Sequence, residues 1–369
     1  MKNIAQFVRK LILAVNILFV VLLIISAYST FLHPVKYPIL SCAGLTFPVF
    51  LLINVSFFLF WLFIKFKYSL LSITGFVLCF SQIKTYVPIH IVSKDVPEQH
   101  LKILSYNVMG FDGAFKKGGE NPILNYLKES EADIICLQEY NVSTNEKKLT
   151  QEDVNAALVE YPFFKINKVG AKSSGNQVAC FSKYPIVSDQ VIHYESAYNG
   201  SVKYELAIKS DTITVINSHL ESNKLTREDK VVYEDMLAAP EARKVKSGVK
   251  QLVKKLAEAS SIRANQVDSI KNEIRTAKYY PLIHCGDFND TPISYPLTTF
   301  RKKLDDAFVQ SGKGLGISYN QNKFYFRIDH ILISKDLQSY KCTVDQTIDF
   351  SDHYPIWCYV AKKTINKVI

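Results

Sequence analysis

The sequence predicts an α+β domain with substantial sheet, carried behind N-terminal transmembrane helices. Three observations lead there. Residues 1–97 contain long apolar runs without charge, and beyond them short β-branched and aromatic runs recur. Helical stretches fall between some of these runs, the mixture expected where sheet packs against helix. With 369 residues, 48% of them hydrophobic, the chain can bury a large core.

The membrane elements come first. Leu11 to Leu32 holds no charged residue, and about 20 such residues suffice for a helix to cross the hydrocarbon core. Tyr37 to Ile64 is equally uncharged and rich in Phe and Leu, long enough to span with some tilt. Tyr68 to Ile83 is shorter and carries Ser72, Thr74 and Gly75, and is expected to form a third span. Lys2, Arg9 and Lys10 ahead of the first run would also suit a signal peptide, but that run is too long for an h-region and a second span follows directly. Ile39-Leu40-Ser41-Cys42 resembles a lipoprotein cleavage site only faintly, being inside the second run. Short loops rich in Lys and Arg stay cytoplasmic. Lys2, Arg9, Lys10, Lys65 and Lys67 therefore set the N-terminus inside, whereas the first loop holds only Lys36. With three spans the C-terminal domain is extracytoplasmic; with two it is cytoplasmic. The expected organisation is a membrane anchor with linker over 1–97 and a catalytic domain over 98–369.

A net charge of +10 would ordinarily suggest a polyanion partner. Residues 1–97 hold eight Lys and Arg against one acid, which leaves 36 against 33 in the rest. The excess is membrane-flanking charge, so the soluble part is nearly neutral. Of seven cysteines, Cys42 and Cys79 lie in apolar spans, and Cys136, Cys180 and Cys285 lie in runs that read as central strands. A thiol there acts as a small hydrophobe. No zinc-like spacing occurs and a disulfide framework is not expected.

After a juxtamembrane linker over Ile83 to Gln99, strands are predicted at Leu101 to Tyr106, Ile134 to Leu137, Val178 to Phe181, Tyr204 to Ile208, Thr212 to Asn217, Leu282 to Cys285, Ile328 to Ile333 and Trp357 to Val360. Pro122 to Lys128 reads as a helix. Ala242 to Lys278 reads as two helices broken near Ser260-Ser261. In the first, Val245, Val249, Leu252, Val253 and Leu256 form one stripe, with Lys244, Lys246, Lys250, Lys254 and Lys255 mostly elsewhere. That pattern fits a surface helix on the sheet; it would also suit contact with anionic lipid head groups.

Short polar motifs stand at the predicted strand ends: Ser105-Tyr106-Asn107, Leu137-Gln138-Glu139, Asn217-Ser218-His219-Leu220, Gly286-Asp287-Phe288-Asn289, Arg327-Ile328-Asp329-His330 and Ser351-Asp352-His353-Tyr354-Pro355. A lone Glu after a strand is usually a solvated charge, and a lone His a structural hydrogen-bonder. Recurring after successive apolar runs, they point to one site. Hard cations such as Mg²⁺ prefer oxygen ligands and few protein carboxylates. Glu139 is the first choice as ligand, with an amide oxygen from Asn107 and a carboxylate from Asp352; Mg²⁺ is expected, with Mn²⁺ as an alternative. Asp287 and Asn289, two residues apart on an extended backbone, fit a base and an orienting group. His219 and His353 can donate hydrogen bonds to phosphate or a proton to a leaving oxygen, and Asp329 looks like the carboxylate partner of His353.

In these motifs, over roughly Leu101 to Val360, the chain resembles the endonuclease/exonuclease/phosphatase superfamily, the DNase I-like fold. Cys180-Phe181-Ser182-Lys183-Tyr184-Pro185-Ile186 adds to the likeness. The resemblance implies a four-layer α/β/β/α sandwich of two mostly antiparallel sheets, with the site where strand-end loops meet. It implies the same metal set, Glu139, Asn107 and Asp352. It also implies that Asp287 orients or deprotonates the water while Asn289 holds a phosphate oxygen.

Within that superfamily, apurinic-site endonucleases carry a Tyr-containing motif where His219 stands, whereas DNase I, neutral sphingomyelinases and inositol polyphosphate 5-phosphatases carry a His. Ile328-Asp329-His330 departs from the Asp-Arg motif of the 5-phosphatases, and His284-Cys285 stand where they show a Trp. The expected activity is a sphingomyelinase-like phosphodiesterase on a phospholipid head group, with the bilayer as partner and no obligate protein partner evident. The alternatives are an extracytoplasmic nuclease, with the Lys-rich helix near Lys250 as its groove, and a non-catalytic binding domain.

Overall fold

The computed structural model describes residues 2–363 except 93, 112–120, 146–147, 172–175, 227, 230, 232–233, 236–241, 320 and 322–323. Twelve strands form two six-stranded sheets among these residues. The first has the order β11-β12-β1-β2-β4-β3: β1 Leu101–Asn107, β2 Ile134–Gln138, β3 Phe163–Lys168, β4 Gln177–Ser182, β11 Leu337–Val344 and β12 Ile356–Lys362. The second has the order β5-β6-β7-β8-β10-β9: β5 Ile186–Ile192, β6 Gly200–Ile208, β7 Asp211–His219, β8 Leu282–Asp287, β9 Leu304–Asp306 and β10 Asp329–Ser334. β1 and β2 pair parallel, as do β7 and β8; the other pairs are antiparallel.

The sheets face each other across one apolar core, which takes Ile103, Ile134 and Cys180 from the first sheet and Val215, Ile283 and Ile331 from the second. Cys136, Cys180 and Cys285 are fully buried here as small apolar groups, and the cysteines are free thiols. The helices, numbered in chain order, are α1 Lys2–Tyr28, α2 Pro38–Ser41, α3 Phe47–Ile64, α4 Phe66–Leu78, α5 Phe80–Tyr86, α6 Pro122–Glu129, α7 Gln151–Ala157, α8 Ala242–Thr276, α9 Tyr295–Phe300 and α10 Ala307–Ser311. The outer face of the first sheet is covered by α6 and α7 through Ile123, Leu127 and Val154, that of the second by α8 and α9 through Val267, Ile270 and Leu297. This is the four-layer sandwich.

Two expectations need correction. α8 is one helix of 35 residues, unbroken at Ser260-Ser261. Ser261 Oγ donates to Ala257 O at 2.9 Å, four residues back, and so satisfies its hydroxyl without leaving the helix. The third apolar run is not one straight span: α4 and α5 are bent by 69° around Cys79. Residues 3–31 and 38–64 form helices long and apolar enough to cross a membrane, and the bent pair gives up to three.

Polar groups tie the N-terminal helices together. Trp61 Nε1 donates to Asn16 Oδ1 at 3.1 Å, Asn16 Nδ2 to Ser72 Oγ at 3.3 Å, and Asn54 Nδ2 to Phe19 O at 2.9 Å. Asn16, Asn54, Trp61 and Ser72 are fully buried there, so these polar groups find their partners inside the bundle. The N-terminal helices also dock on the two-sheet domain. Leu23, Phe47 and Tyr86 pack with Ile293, Thr30 Oγ1 donates to Ser294 O at 2.5 Å, and Ser261 Oγ donates to Pro34 O at 3.1 Å. Gly44 lies so close to Ile293 O that an added Cβ would stand 2.1 Å from it. The expected linker is thus partly structured: α5 runs on to Tyr86, and Gly314 N donates to Pro88 O at 3.0 Å.

Candidate active site

Register brings the strand-end motifs together. Asn107 pairs with Gln138 at the carboxyl ends of β1 and β2, one residue before Glu139. His219 pairs with Asp287 at the ends of β7 and β8, and Asp287 with Asp329 at the start of β10. His353, before β12, bridges to Tyr319. Beneath them Asn217 joins the sheets: it donates to Leu137 O at 3.0 Å and Ala179 O at 3.1 Å and accepts from Gln138 Nε2 at 2.7 Å. Gly286 is required at its position. Its φ is +140°, and a Cβ there would stand 1.9 Å from Ser218 O. Glu139 and Asn289 both adopt φ of +51°, uncommon for residues with a side chain, so backbone strain gathers at the site.

Seven of the eight predicted site residues are joined here by hydrogen bonds or ion pairs, and the Asp352 carboxylate acts on Glu139 and His353 by charge. His353 Nδ1 donates to Asp329 Oδ2 at 2.8 Å, and its Nε2 lies 3.6 Å from Asp287 Oδ2. Burial alone would lower the His353 pKa, but the Asp329 and Asp287 carboxylates overcome it and hold the imidazolium well above the ordinary histidine range. Burial pushes Asp287 up to about 6, Asp329 adding to the rise while His353 and His219 oppose it. His219 is lowered by burial and is the neutral imidazole of the pair. Its Nε2 stands 3.6 Å from Asp287 Oδ2 and 3.7 Å from Glu139 Oε1. Burial raises Glu139 too, against the opposing hydrogen bond from Asn107.

Two amides sit differently from expectation. Asn107 Oδ1 accepts from Met109 N at 3.1 Å, while its Nδ2 donates to Glu139 Oε1 at 3.2 Å and Asp287 Oδ2 at 3.1 Å. It offers the carboxylates a donor, not the oxygen a metal would use; exchanging the amide atoms would reverse this at the expense of the Met109 bond. Asn289 Nδ2 donates to Leu220 O at 3.0 Å and Asp287 Oδ2 at 3.2 Å, and Asn289 N donates to Asp287 Oδ1 at 2.8 Å. Here Asn289 fixes the Asp287 carboxylate, with its amide hydrogens turned away from a phosphate.

The donor set suits a divalent cation. Glu139, Asp287 and Asp329 make their ion pairs, among the described residues, with His219 and His353. Asp329 Oδ1 is buried without a partner. The tightest grouping of possible ligand atoms, all within 4.8 Å, is Asp287, Asp329 and His353. That trio is already joined by the His353–Asp329 hydrogen bond, which occupies Nδ1. Glu139, about one third exposed in its side chain, is the more open oxygen donor.

Three residues support the site: Ser318 escaped the sequence reading, while Ser351 and Arg327 stood in its motifs without a role. Ser318 Oγ accepts from Ile328 N and Asp329 N, both at 3.0 Å, and Ser351 Oγ donates to Asn107 O at 2.7 Å. Buried Arg327 donates to Thr85 O and Leu315 O, each at 2.7 Å, and lies over the Phe308 ring. It ties α5 to the strand that begins with Asp329. Ser318 carries no spacing signal, and the motifs holding Ser351 and Arg327 do not show what those side chains bond.

A family profile described as "Endonuclease/Exonuclease/phosphatase family" matches residues 104–353, and one described as a domain of unknown function matches residues 9–86. No curated protein matches. Among solved structures, an endonuclease/exonuclease/phosphatase from Beutenbergia cavernae DSM 12333 is 13% identical over 72% of this chain and 72% of its own, with a TM-score of 0.51. One from Bacteroides vulgatus is 14% identical over 72% of this chain and 100% of its own, TM-score 0.50. D. rerio TDP2, complexed with single strand DNA product, is 17% identical over the same shares, TM-score 0.50. At these identities the likeness to the solved structures is one of fold.

Proposed function

The chain belongs to the endonuclease/exonuclease/phosphatase family, and from that membership we propose a membrane-anchored, divalent-metal-dependent phosphodiesterase acting on phospholipid head groups. The observation that carries the chemistry is the buried Asp329–His353–Asp287 series beside Glu139. Asp287, with a pKa of about 6, is ionised at neutral pH yet basic enough to accept a proton from the attacking water. Asn289 holds that carboxylate in place through two hydrogen bonds. His353, kept cationic by Asp329, presents Nε2–H to a phosphate oxygen and opposes the charge that builds there. A divalent cation on Glu139, with Asp352 and the Asn107 side chain beside it, would polarise the phosphoryl oxygens and neutralise their charge.

Two features favour a lipid. The anchor packs against Ile293 and Ser294, a few residues beyond Asn289, which keeps the site close to the end of the spans. Near the site, Phe350 and Tyr325 are 42% and 57% exposed, apolar surface suited to an amphiphile. An extracytoplasmic domain is supported by its contacts with Thr30 at the end of the first span and Pro34 in the first loop, opposite Lys2, Arg9, Lys10, Lys65 and Lys67. The nuclease reading draws on exposed Lys246, Lys250 and Lys254 of α8, although Lys255 is paired with Asp229. A binding-only role leaves this assembled set unexplained. The test is turnover of a chromogenic phosphodiester with Mg²⁺: Asp287→Ala should abolish it, and undiminished turnover would sink the mechanism.

A further inference from the structure

A cavity of about 440 Å³ lies at the seam between anchor and catalytic domain, and none of the eight candidate site residues lines it. Its anchor wall includes Phe31, at the end of the first span, and Gln82 and Thr85 on α5; its domain wall includes Arg301, Lys302 and Asp306. Phe31 and nearby Phe80 are 59% and 65% exposed, so the seam sits where apolar surface gives way to polar, the level of lipid head groups in a bilayer.

The lining carries complementary unmet groups. Arg301 donates one N–H to Thr85 Oγ1 at 2.9 Å, and neither it nor Lys302 has a carboxylate within ion-pair distance among the described residues. Asp305, by contrast, is matched by Lys363 at 3.3 Å and Gln310 at 3.0 Å. On the acceptor side, Asp306 is 3% exposed; its Oδ1 caps α10, but Oδ2 is buried without a donor, and so is Gln82 Oε1. Arg327 lies near Asp306 but directs its hydrogen bonds to Leu315 O and Thr85 O. Buried acceptors that lack donors are rare in folded proteins and point to a missing partner.

We infer that the seam binds a phospholipid head group bearing a primary ammonium, its N–H groups on Asp306 Oδ2 and Gln82 Oε1 and its phosphate on Arg301 and Lys302. A quaternary ammonium has no N–H and leaves both acceptors bare, so phosphocholine is a poor fit. An anionic head group such as phosphatidylglycerol brings no ammonium and adds negative charge beside the buried Asp306 carboxylate. The acyl chains continue along the lipid-facing anchor near Phe31 and Phe80. The site needs the anchor to lie in a bilayer; it does not need the catalytic centre to hydrolyse lipid.

The experiment titrates the delipidated full chain in detergent with phosphatidylethanolamine, phosphatidylcholine and phosphatidylglycerol, counting bound lipid by native mass spectrometry. Phosphatidylethanolamine is expected to bind at least about tenfold more tightly than phosphatidylcholine, a difference of about 1.4 kcal/mol. Arg301→Gln with Lys302→Gln removes the tight binding, Gln82→Leu narrows the gap between the two lipids, and His353→Ala leaves the preference for phosphatidylethanolamine in place. Gln82 caps no element, so that variant reports on the site even if Asp306→Asn fails to fold. Equal affinity for phosphatidylcholine, tighter binding of phosphatidylglycerol, or indifference to the Arg301 and Lys302 changes overturns the inference. Loss of binding in His353→Ala moves the lipid to the catalytic centre and also overturns it. Displacement by free O-phosphoethanolamine at matching concentrations reassigns the seam to a soluble ligand.

Discussion

Replacing Asp329 by Asn removes the charge that keeps His353 protonated while preserving shape. His353 and Asp329 are 5% and 1% exposed in their side chains, so solvent screens their 2.8 Å contact little. Burial already lowers the His353 pKa, and the Asp329 carboxylate leads the opposing effects. Without it the imidazole titrates lower and is neutral through much of the neutral range. General-acid and electrostatic help of this type accounts for about 10²–10⁴ in rate, so kcat/KM should fall by that factor, about 2.7–5.4 kcal/mol of transition-state stabilisation. The pH profile gives the sharper signature. His353 must be protonated, so the alkaline limb, set by its raised pKa, should move to lower pH. Asp287 must be ionised, and its acid limb is the weaker signature, because losing the Asp329 charge lowers that pKa while losing the His353 cation raises it. Initial rates on a chromogenic phosphodiester with Mg²⁺ across the pH range measure both. A loss under about threefold, or an alkaline limb that stays put, would refute the role given to the pair.

Two further outcomes follow from the same geometry. Glu139→Gln keeps the hydrogen bond from Asn107 but removes the open carboxylate, so the Mg²⁺ concentration for half-maximal activity should rise by about tenfold or more; an unchanged requirement would place the cation elsewhere. Reporter fusions after Lys67 and after Lys94 should report opposite sides of the membrane, the second extracytoplasmic, and two fusions on one side would remove the third crossing.

The sheet was legible where strands are buried on both faces. Ile134 to Leu137 and Leu282 to Cys285 are apolar runs ending in Glu139 and Asp287, and register then aligns those ends. β3 and β5 were not recognised because they are edge strands with mixed, half-exposed faces: Phe163–Lys168 carries two lysines, and Ile186–Ile192 has only its last residue buried. The break expected at Ser260-Ser261 came from reading serine as a helix-breaker, whereas Ser261 bonds back to Ala257 O. The bend at Cys79 and the docking of Thr30, Gly44 and Thr85 depend on contacts more than 200 residues apart, as between Thr30 and Ser294, and no local pattern encodes those. That these side chains gather at one end of the sheets was readable because carboxylate, amide and imidazole groups recur at successive strand ends. Their hydrogen-bond directions, such as Asn107 turning Nδ2 to Glu139, were not, because composition carries no orientation.

The most direct test is a substrate panel of phospholipids, inositol phosphates and nucleic acids, run on the full chain in vesicles with Mg²⁺. The account predicts that release of phosphorylated head group exceeds nucleic-acid cleavage by at least about tenfold and stops on chelation with EDTA. Plasmid cleavage at the rate of the best lipid, or turnover that persists in EDTA, would contradict it.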